Sequence, residues 1–280
     1  MYKAILFDLD GTLTESGEGI TKCVQYALEK LGRPESDLEK LKVFIGPPLM
    51  EQFMKYADLD ESTARKAVEY YRERYSTTGI FENCPYPGVE KLLQELRRKK
   101  YLLAVASSKP EYYVKQILDY FNLTEYFDEI VGSEMNGART NKTEVIEETL
   151  KRLGLDHHRE QVIMVGDKEH DVLGARKAGL DCVAVSYGYG TEEELAASQP
   201  LQIVASASPE PPTQTKPCQT DLESSISLWD SFFDFTDRWL RRSVADHEIW
   251  RGNGYLLSKC NSFYRADWIT CYDSLSMVLQ

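Results

Sequence analysis

The chain opens on an unbroken apolar run, Ala4-Ile5-Leu6-Phe7, that stops at Asp8, Leu9, Asp10, Gly11 and Thr12. A short continuous run closed by turn chemistry predicts a buried strand. The period then changes. Ile20, Cys23, Val24, Ala27, Leu28 and Leu31 recur at helical spacing and predict a helix over 19–31, which Arg33-Pro34 breaks. Further helices are predicted over 50–57 and over 60–75, the latter opened by Asp60-Glu61-Ser62-Thr63. A stiff turn containing Gly46, Pro47 and Pro48 precedes the first of these. No strand-like run falls within 15–84, so this stretch reads as an all-helical insert.

Pro85-Tyr86-Pro87-Gly88 marks a boundary by its turn residues. Beyond it, helical and strand patterns alternate. Helices over 89–99, 111–121, 144–153 and 172–178 lead in turn to strands over 102–106, 129–131, 162–165 and 182–185, with one more short strand at 202–204. This alternation predicts an α/β fold with a parallel sheet and crossover helices. Because the first strand belongs to the same sheet, residues 1–14 and 85–205 form one core and residues 15–84 interrupt it. From 206 to 219 the chain turns rich in Ser, Pro, Thr and Gln and reads as a linker. All four tryptophans and two of the six cysteines follow. Residues 228–240 fit an amphipathic helix, but the rest of the tail keeps neither period. It reads as a segment not shaped to fold on this core, ahead of the alternative of an appended interaction segment.

A net charge of −12 argues against nucleic acid or an anionic membrane as partner, since no basic patch offsets it. It does not oppose a small anionic substrate, because a distant field is screened within ~8 Å. The first residues hold too few consecutive apolar positions for a secretory signal, and no run approaches the ~18 that a membrane span needs. The six cysteines show no Cys-x-x-Cys spacing, which predicts free thiols in a reducing cytoplasm. Asn122-Leu-Thr and Asn141-Lys-Thr match the glycosylation pattern but lack a secretory context, and the four histidines form no ligand spacing with the cysteines.

Candidate chemistry gathers where strands end. Ligands of open α/β sheets bind at the carboxyl ends of the strands. Asp8 and Asp10, two residues apart at such an end, would repel by about 4 kcal/mol if ~4 Å apart at an effective dielectric of 20. Such a pair is expected to hold a hard cation, with Mg²⁺ first because it favours oxygen ligands. Gly11 permits the turn away from the strand, and Thr12 offers a hydroxyl and an N–H. Ser107 and Ser108, after the strand at 102–106, are suited to phosphate oxygens, although serine at a helix start is commonly an N-cap. Lys142 begins a helix; alone, it would be a solvated surface lysine. Asp167 ends another strand and Asp171 lies one helical turn on. Singly, each is a helix-start acid. Combined with Asp8 and Asp10 they make a metal site.

The segments DLDGTLT, VASSKP, Lys142 and VGDKEHD, in this order and spacing, resemble the four motifs of the haloacid dehalogenase-like phosphohydrolases. The helical insert, PYPGV at 85–89 and VSYGYG at 185–190 resemble the subgroup containing phosphoglycolate phosphatases and 5′-nucleotidase-like members. The resemblance covers roughly residues 1–205. It implies a Rossmann-like core with a helical cap and a Mg²⁺-dependent phosphatase acting on a small phosphorylated metabolite.

Asp8 would then be the nucleophile that forms an aspartyl-phosphate, and Asp10 the general acid and base. Mg²⁺ would be held by Asp8, Asp10 (through its carbonyl) and Asp167, with Asp171 supporting that shell. Ser107, Ser108, Lys142 and Thr12 would bind or position the phosphoryl group, and Gly46, Pro47 and Pro48 would close over the leaving group and set specificity. Arg139 would either touch an anionic substrate or be a surface arginine. A phosphomutase of the same family and a catalytically silent interaction protein are the alternatives. A signalling receiver domain is disfavoured, because its acceptor aspartate follows a later strand. The family usually closes its sheet with a helix after the last strand, where this chain has the linker.

Overall fold

A computed structural model describes residues 2–204. The elements run β1 (Ala4–Phe7), β2 (Thr14–Glu15), α1 (Gly17–Lys30), α2 (Leu49–Tyr56), α3 (Glu61–Tyr75), β3 (Cys84–Pro85), α4 (Val89–Arg98), β4 (Leu102–Pro110), α5 (Glu111–Tyr120), β5 (Glu129–Ser133), α6 (Lys142–Leu153), β6 (Val162–Gly166), α7 (Glu169–Lys177), β7 (Asp181–Val185), α8 (Glu192–Ser198) and β8 (Gln202–Val204). The linker and tail expected from residue 206 onward, including the helix over 228–240 and the question of a closing helix, lie outside the described residues.

Six strands form one sheet in the order β5-β4-β1-β6-β7-β8, and every pairing in it is parallel. β1 is central and buried on both faces. Ile5 and Phe7 point into one core with Leu92 and Leu96 of α4 and Val114 and Ile117 of α5. Ala4 and Leu6 point into a second core with Val145 and Leu150 of α6 and Val172 and Ala175 of α7. The strand period of two thus feeds both faces from one run, which is why the run contains no polar position. Burial of a side chain such as Phe7 contributes about 1.5–3 kcal/mol.

Register fixes the site. Phe7 pairs with Val105 on β4 and with Val165 on β6, so Asp8, Ala106 and Gly166 emerge side by side at the carboxyl edge. The Asp8 N–H continues the ladder to the Val165 carbonyl at 2.9 Å.

The insert carries α1, α2 and α3 as expected. Asp60 caps α3 by accepting the Thr63 N–H at 3.0 Å. One expectation is corrected: Glu15 and Cys84, both within 15–84, pair as the ends of the antiparallel ribbon β2-β3, where the chain leaves the sheet and returns. A two-residue ribbon has no periodicity to read. α8 was not expected either. It is a short element set by a Thr191–Glu194 capping box and pinned through the buried Leu195. β4 runs past 106 to Pro110, with an irregularity between Ala106 and Pro110.

Candidate active site

The loop after β1 is tied by backbone bonds: the N–H groups of Thr12, Leu13 and Thr14 converge on the Leu9 carbonyl, and the Gly11 N–H reaches the Thr14 carbonyl at 2.8 Å. Gly11 has φ +82°, and a Cβ there would lie 2.1 Å from Asp167 Oδ2. Turn and close approach together therefore require glycine. The loop brings Asp8, Asp10 and Thr12 into the interior, each at most 6 % exposed.

The carboxylates of Asp8, Asp167 and Asp171 converge, with one oxygen of each within 4.8 Å of the others. Lys142 enters this group from the first turn of α6, whose N-cap Asn141 accepts the Thr143 N–H at 2.9 Å. Its ammonium lies 2.8 Å from Asp8 Oδ1, 2.8 Å from Asp171 Oδ1, and 3.0 Å from the Ala106 carbonyl. Gly174 on α7 makes room for it, since a Cβ there would sit 2.8 Å from Lys142 Cβ. Asp171 also accepts the N–H groups of Asp167 and Lys168 at 3.1 and 3.0 Å, so it is both a helix-start acceptor and a member of the cluster.

Burial, with the charges of Asp171 and Asp8, pushes the Asp167 carboxyl well above the usual carboxylate range. Burial also raises Asp171, against the nearby Lys142 ammonium. Lys142 itself is held above the usual lysine range: burial opposes its charge, but Asp171 and Asp8 outweigh that cost. When all three are ionised, three carboxylates against one ammonium leave two negative charges in excess, which a bound cation would offset. Buried oxygen donors with that surplus fit one divalent hard cation.

Asp10 is placed differently. Its carboxylate is not in this cluster; Oδ1 accepts from Lys109 Nζ at 2.8 Å. Lys109 also donates to the Tyr75 hydroxyl at 2.7 Å. Burial opposes the Lys109 charge, yet Asp10 and Tyr75 leave its pKa raised. The Thr12 hydroxyl donates to Asp167 Oδ1 at 3.3 Å, and the Thr12 carbonyl accepts from the Tyr187 hydroxyl at 2.9 Å. Ser107 is 2 % exposed, and its hydroxyl accepts the Lys109 N–H at 3.3 Å. From the insert, Gly46, Pro47 and Pro48 line one cleft with Asp8, Ser108 and Lys142. Lys168 and His170, to which the sequence assigned no role, line it too.

Arg139, read in the sequence as either a substrate contact or a surface arginine, is engaged by its own neighbours. It donates to the Gly132 carbonyl at 2.9 Å and pairs with Glu111 and Glu148 at 3.6 and 3.7 Å. Lys109, Tyr75 and Tyr189 were not singled out. Lys109 stands two residues after Ser107 on the same strand end, a signal visible in the sequence. The Tyr189 N–H donates to Asp167 Oδ2 at 2.7 Å while its hydroxyl reaches Glu15 and Ser16 at 2.8 and 2.9 Å, linking the acidic cluster to the insert's entry point.

Comparison with known proteins decides the family: the model of the haloacid dehalogenase-like hydrolases matches residues 5–185. The chain belongs to this family. It is 46 % identical over 204 residues to a 5′-nucleotidase of Pseudomonas aeruginosa, covering 73 % of this chain and 91 % of that protein. A phosphoglycolate phosphatase of Pseudomonas syringae is 30 % identical over 209 residues, or 72 % and 76 % of the two chains. A Mycobacterium tuberculosis protein named tyrosine-protein kinase PtkA is 38 % identical over 186 residues, covering 66 % of this chain and only 62 % of that one. The crystal structure of a predicted phosphatase from Clostridium acetobutylicum superposes with a TM-score of 0.71 at 46 % identity, over 74 % and 94 % of the chains. As an enzyme, the protein is a phosphoric monoester hydrolase, the class of the nucleotidase and the phosphoglycolate phosphatase.

Proposed function

We propose that the protein is a Mg²⁺-dependent phosphatase that hydrolyses a small phosphorylated metabolite, a nucleoside 5′-monophosphate or a phosphoglycolate-like compound, through an aspartyl-phosphate at Asp8. The observation that carries this is the Lys142 ammonium held between Asp8 and Asp171 within a carboxylate cluster of surplus charge two. The relatives named 5′-nucleotidase and phosphoglycolate phosphatase support the substrate classes. Residues 15–84 act in this reading as the cap over a core of 1–14 and 85–205.

Asp8 and Asp167, with the Asp10 carbonyl, would hold Mg²⁺, and Asp171 would support them. When bound, the ion offsets the negative charge of the phosphoryl oxygens and of Asp8 as they approach. Lys142 occupies Asp8 Oδ1, so Oδ2 is the oxygen that attacks phosphorus. The phosphorus–oxygen bond to the leaving group breaks, its electron pair stays on the leaving oxygen, and Asp10 supplies the proton there. Asp10, now a carboxylate, takes a proton from the water that attacks the aspartyl-phosphate, which frees inorganic phosphate and restores Asp8. Lys142, Ser107 and Ser108 bind phosphoryl oxygens, Thr12 positions Asp167, and Gly46, Pro47 and Pro48 cover the leaving group.

No helix among the described residues is long and apolar enough to cross a membrane, and work in the cytoplasm is part of the proposal. The test is phosphate release from a panel of phosphorylated metabolites, with Mg²⁺ and with a chelator. Mg²⁺-dependent release from one substrate class is expected. No release from folded, Mg²⁺-loaded protein on any substrate would overturn the proposal.

A further inference from the structure

The C-terminal residue of α3 reaches the reaction chemistry from the cap. Tyr75 is 2 % exposed, its ring stacks on Tyr71 at 5.2 Å and meets Tyr113 of α5 edge-on at 5.2 Å. Its hydroxyl accepts from Lys109 Nζ at 2.7 Å, and the same ammonium stands 4.9 Å from the Tyr75 ring centroid. Lys109 in turn donates to Asp10 Oδ1 at 2.8 Å, and both side chains of that pair are 7 % exposed. The end of α3 is itself fixed. Arg74 binds both oxygens of Glu82 at 2.7 and 2.9 Å and donates to Cys23 Sγ on α1 at 3.2 Å. Gly79 lies against that thiol so closely that a Cβ would stand 2.4 Å from it.

We propose that Tyr75 is a positioning residue for Asp10: it aims the Lys109 ammonium at Oδ1, which can then only accept, and so assigns the exchangeable proton to Oδ2. A carboxyl with one oxygen committed to an ammonium presents its proton from the other in one direction, and misplacement by about 1 Å costs on the order of 10²-fold in rate. Proton delivery to the leaving group thereby depends on a residue of the cap, so the cap's seating and the acid's geometry are one state. This rests on the proposed phosphatase chemistry and its assignment of Asp10 as the acid.

Leaving groups separate positioning from mere packing. An alkoxide needs its proton, whereas 4-nitrophenolate departs without one. The experiment compares kcat/KM for an alkyl phosphate and for p-nitrophenyl phosphate in the full chain and in Asp10→Asn, Tyr75→Phe, Lys109→Met and Lys109→Arg, with circular dichroism as the check on folding. Asp10→Asn sets the signature: the alkyl-to-aryl ratio falls by about 100-fold or more. Tyr75→Phe, which keeps the ring, lowers that ratio about tenfold, Lys109→Met lowers it further, and Lys109→Arg restores part of it. Equal losses on both substrates in folded Tyr75→Phe and Lys109→Met would overturn the positioning role while leaving the phosphatase reading intact. A ratio unmoved in Asp10→Asn would overturn both. If Tyr75→Phe does not fold, the Lys109 pair of variants decides.

Discussion

The Lys142 ammonium lies 2.8 Å from the Asp8 carboxylate although 134 residues separate them, and both side chains are almost fully buried. Each needs the other. A lone buried ammonium or carboxylate would cost several kcal/mol in desolvation, and the pairing engages Asp8 through Oδ1.

Lys142→Met should therefore lose both activity and stability. Removing the ammonium leaves the three buried acids without their lysine, expected to cost about 3 kcal/mol or more, and in the proposed reaction removes the group opposing phosphoryl charge, expected to cost at least ~100-fold in kcat/KM. Urea denaturation in chelator and steady-state kinetics check the two effects. Unchanged stability would show that the cluster is not held by this pair.

Divalent cation should stabilise the chain. Saturating Mg²⁺ at a hundred times its dissociation constant adds about 2.7 kcal/mol, read as a rise in Tm that Asp167→Asn abolishes. Gly188→Ala should weaken Mg²⁺ by about tenfold or more, because its Cβ would stand 2.4 Å from both Asp167 Oδ2 and the Gly11 carbonyl oxygen. Calorimetric titration measures this directly. An unchanged affinity would remove Asp167 from the metal's holders.

Gly46→Ala should change which substrate is preferred. Gly46 has φ +100°, and a Cβ there would press on Lys168 Cδ at 3.1 Å across the cleft. The expected result is a shift of about fivefold or more in the kcat/KM ratio between a nucleoside 5′-monophosphate and phosphoglycolate. An equal change for both substrates would take the Gly46-Pro47-Pro48 turn out of specificity.

Much of this was legible because local signals coincide with the sheet's needs. Apolar runs cut off by Asp8 and by Gly166-Asp167 mark the carboxyl ends of β1 and β6, and a buried strand tolerates an acid only where it leaves the sheet. Lys142 was visible only through its family spacing, since nothing local distinguishes a first-turn lysine aimed inward from a solvated one. The Lys109–Asp10 pair and its Tyr75 partner were missed because they join β4, the β1 loop and α3, separations that no period encodes. Arg139 was open to either role until its contacts with Gly132, Glu111 and Glu148 appeared. Glu15 and Cys84 looked like parts of an all-helical insert, because a two-residue ribbon is set by its partner strand and by the exit and return of the chain.

Covalent chemistry at Asp8 would leave a phosphorylated peptide that rapid quenching can trap. Enzyme mixed with its best substrate and Mg²⁺ is quenched in acid within one turnover, digested, and weighed by mass spectrometry. One added phosphoryl group is expected on the peptide bearing Asp8, absent in Asp8→Asn, which also releases no phosphate. Phosphate released by the unsubstituted enzyme in the first turnover with no adduct at Asp8, together with an Asp8→Asn protein that remains active, would contradict it.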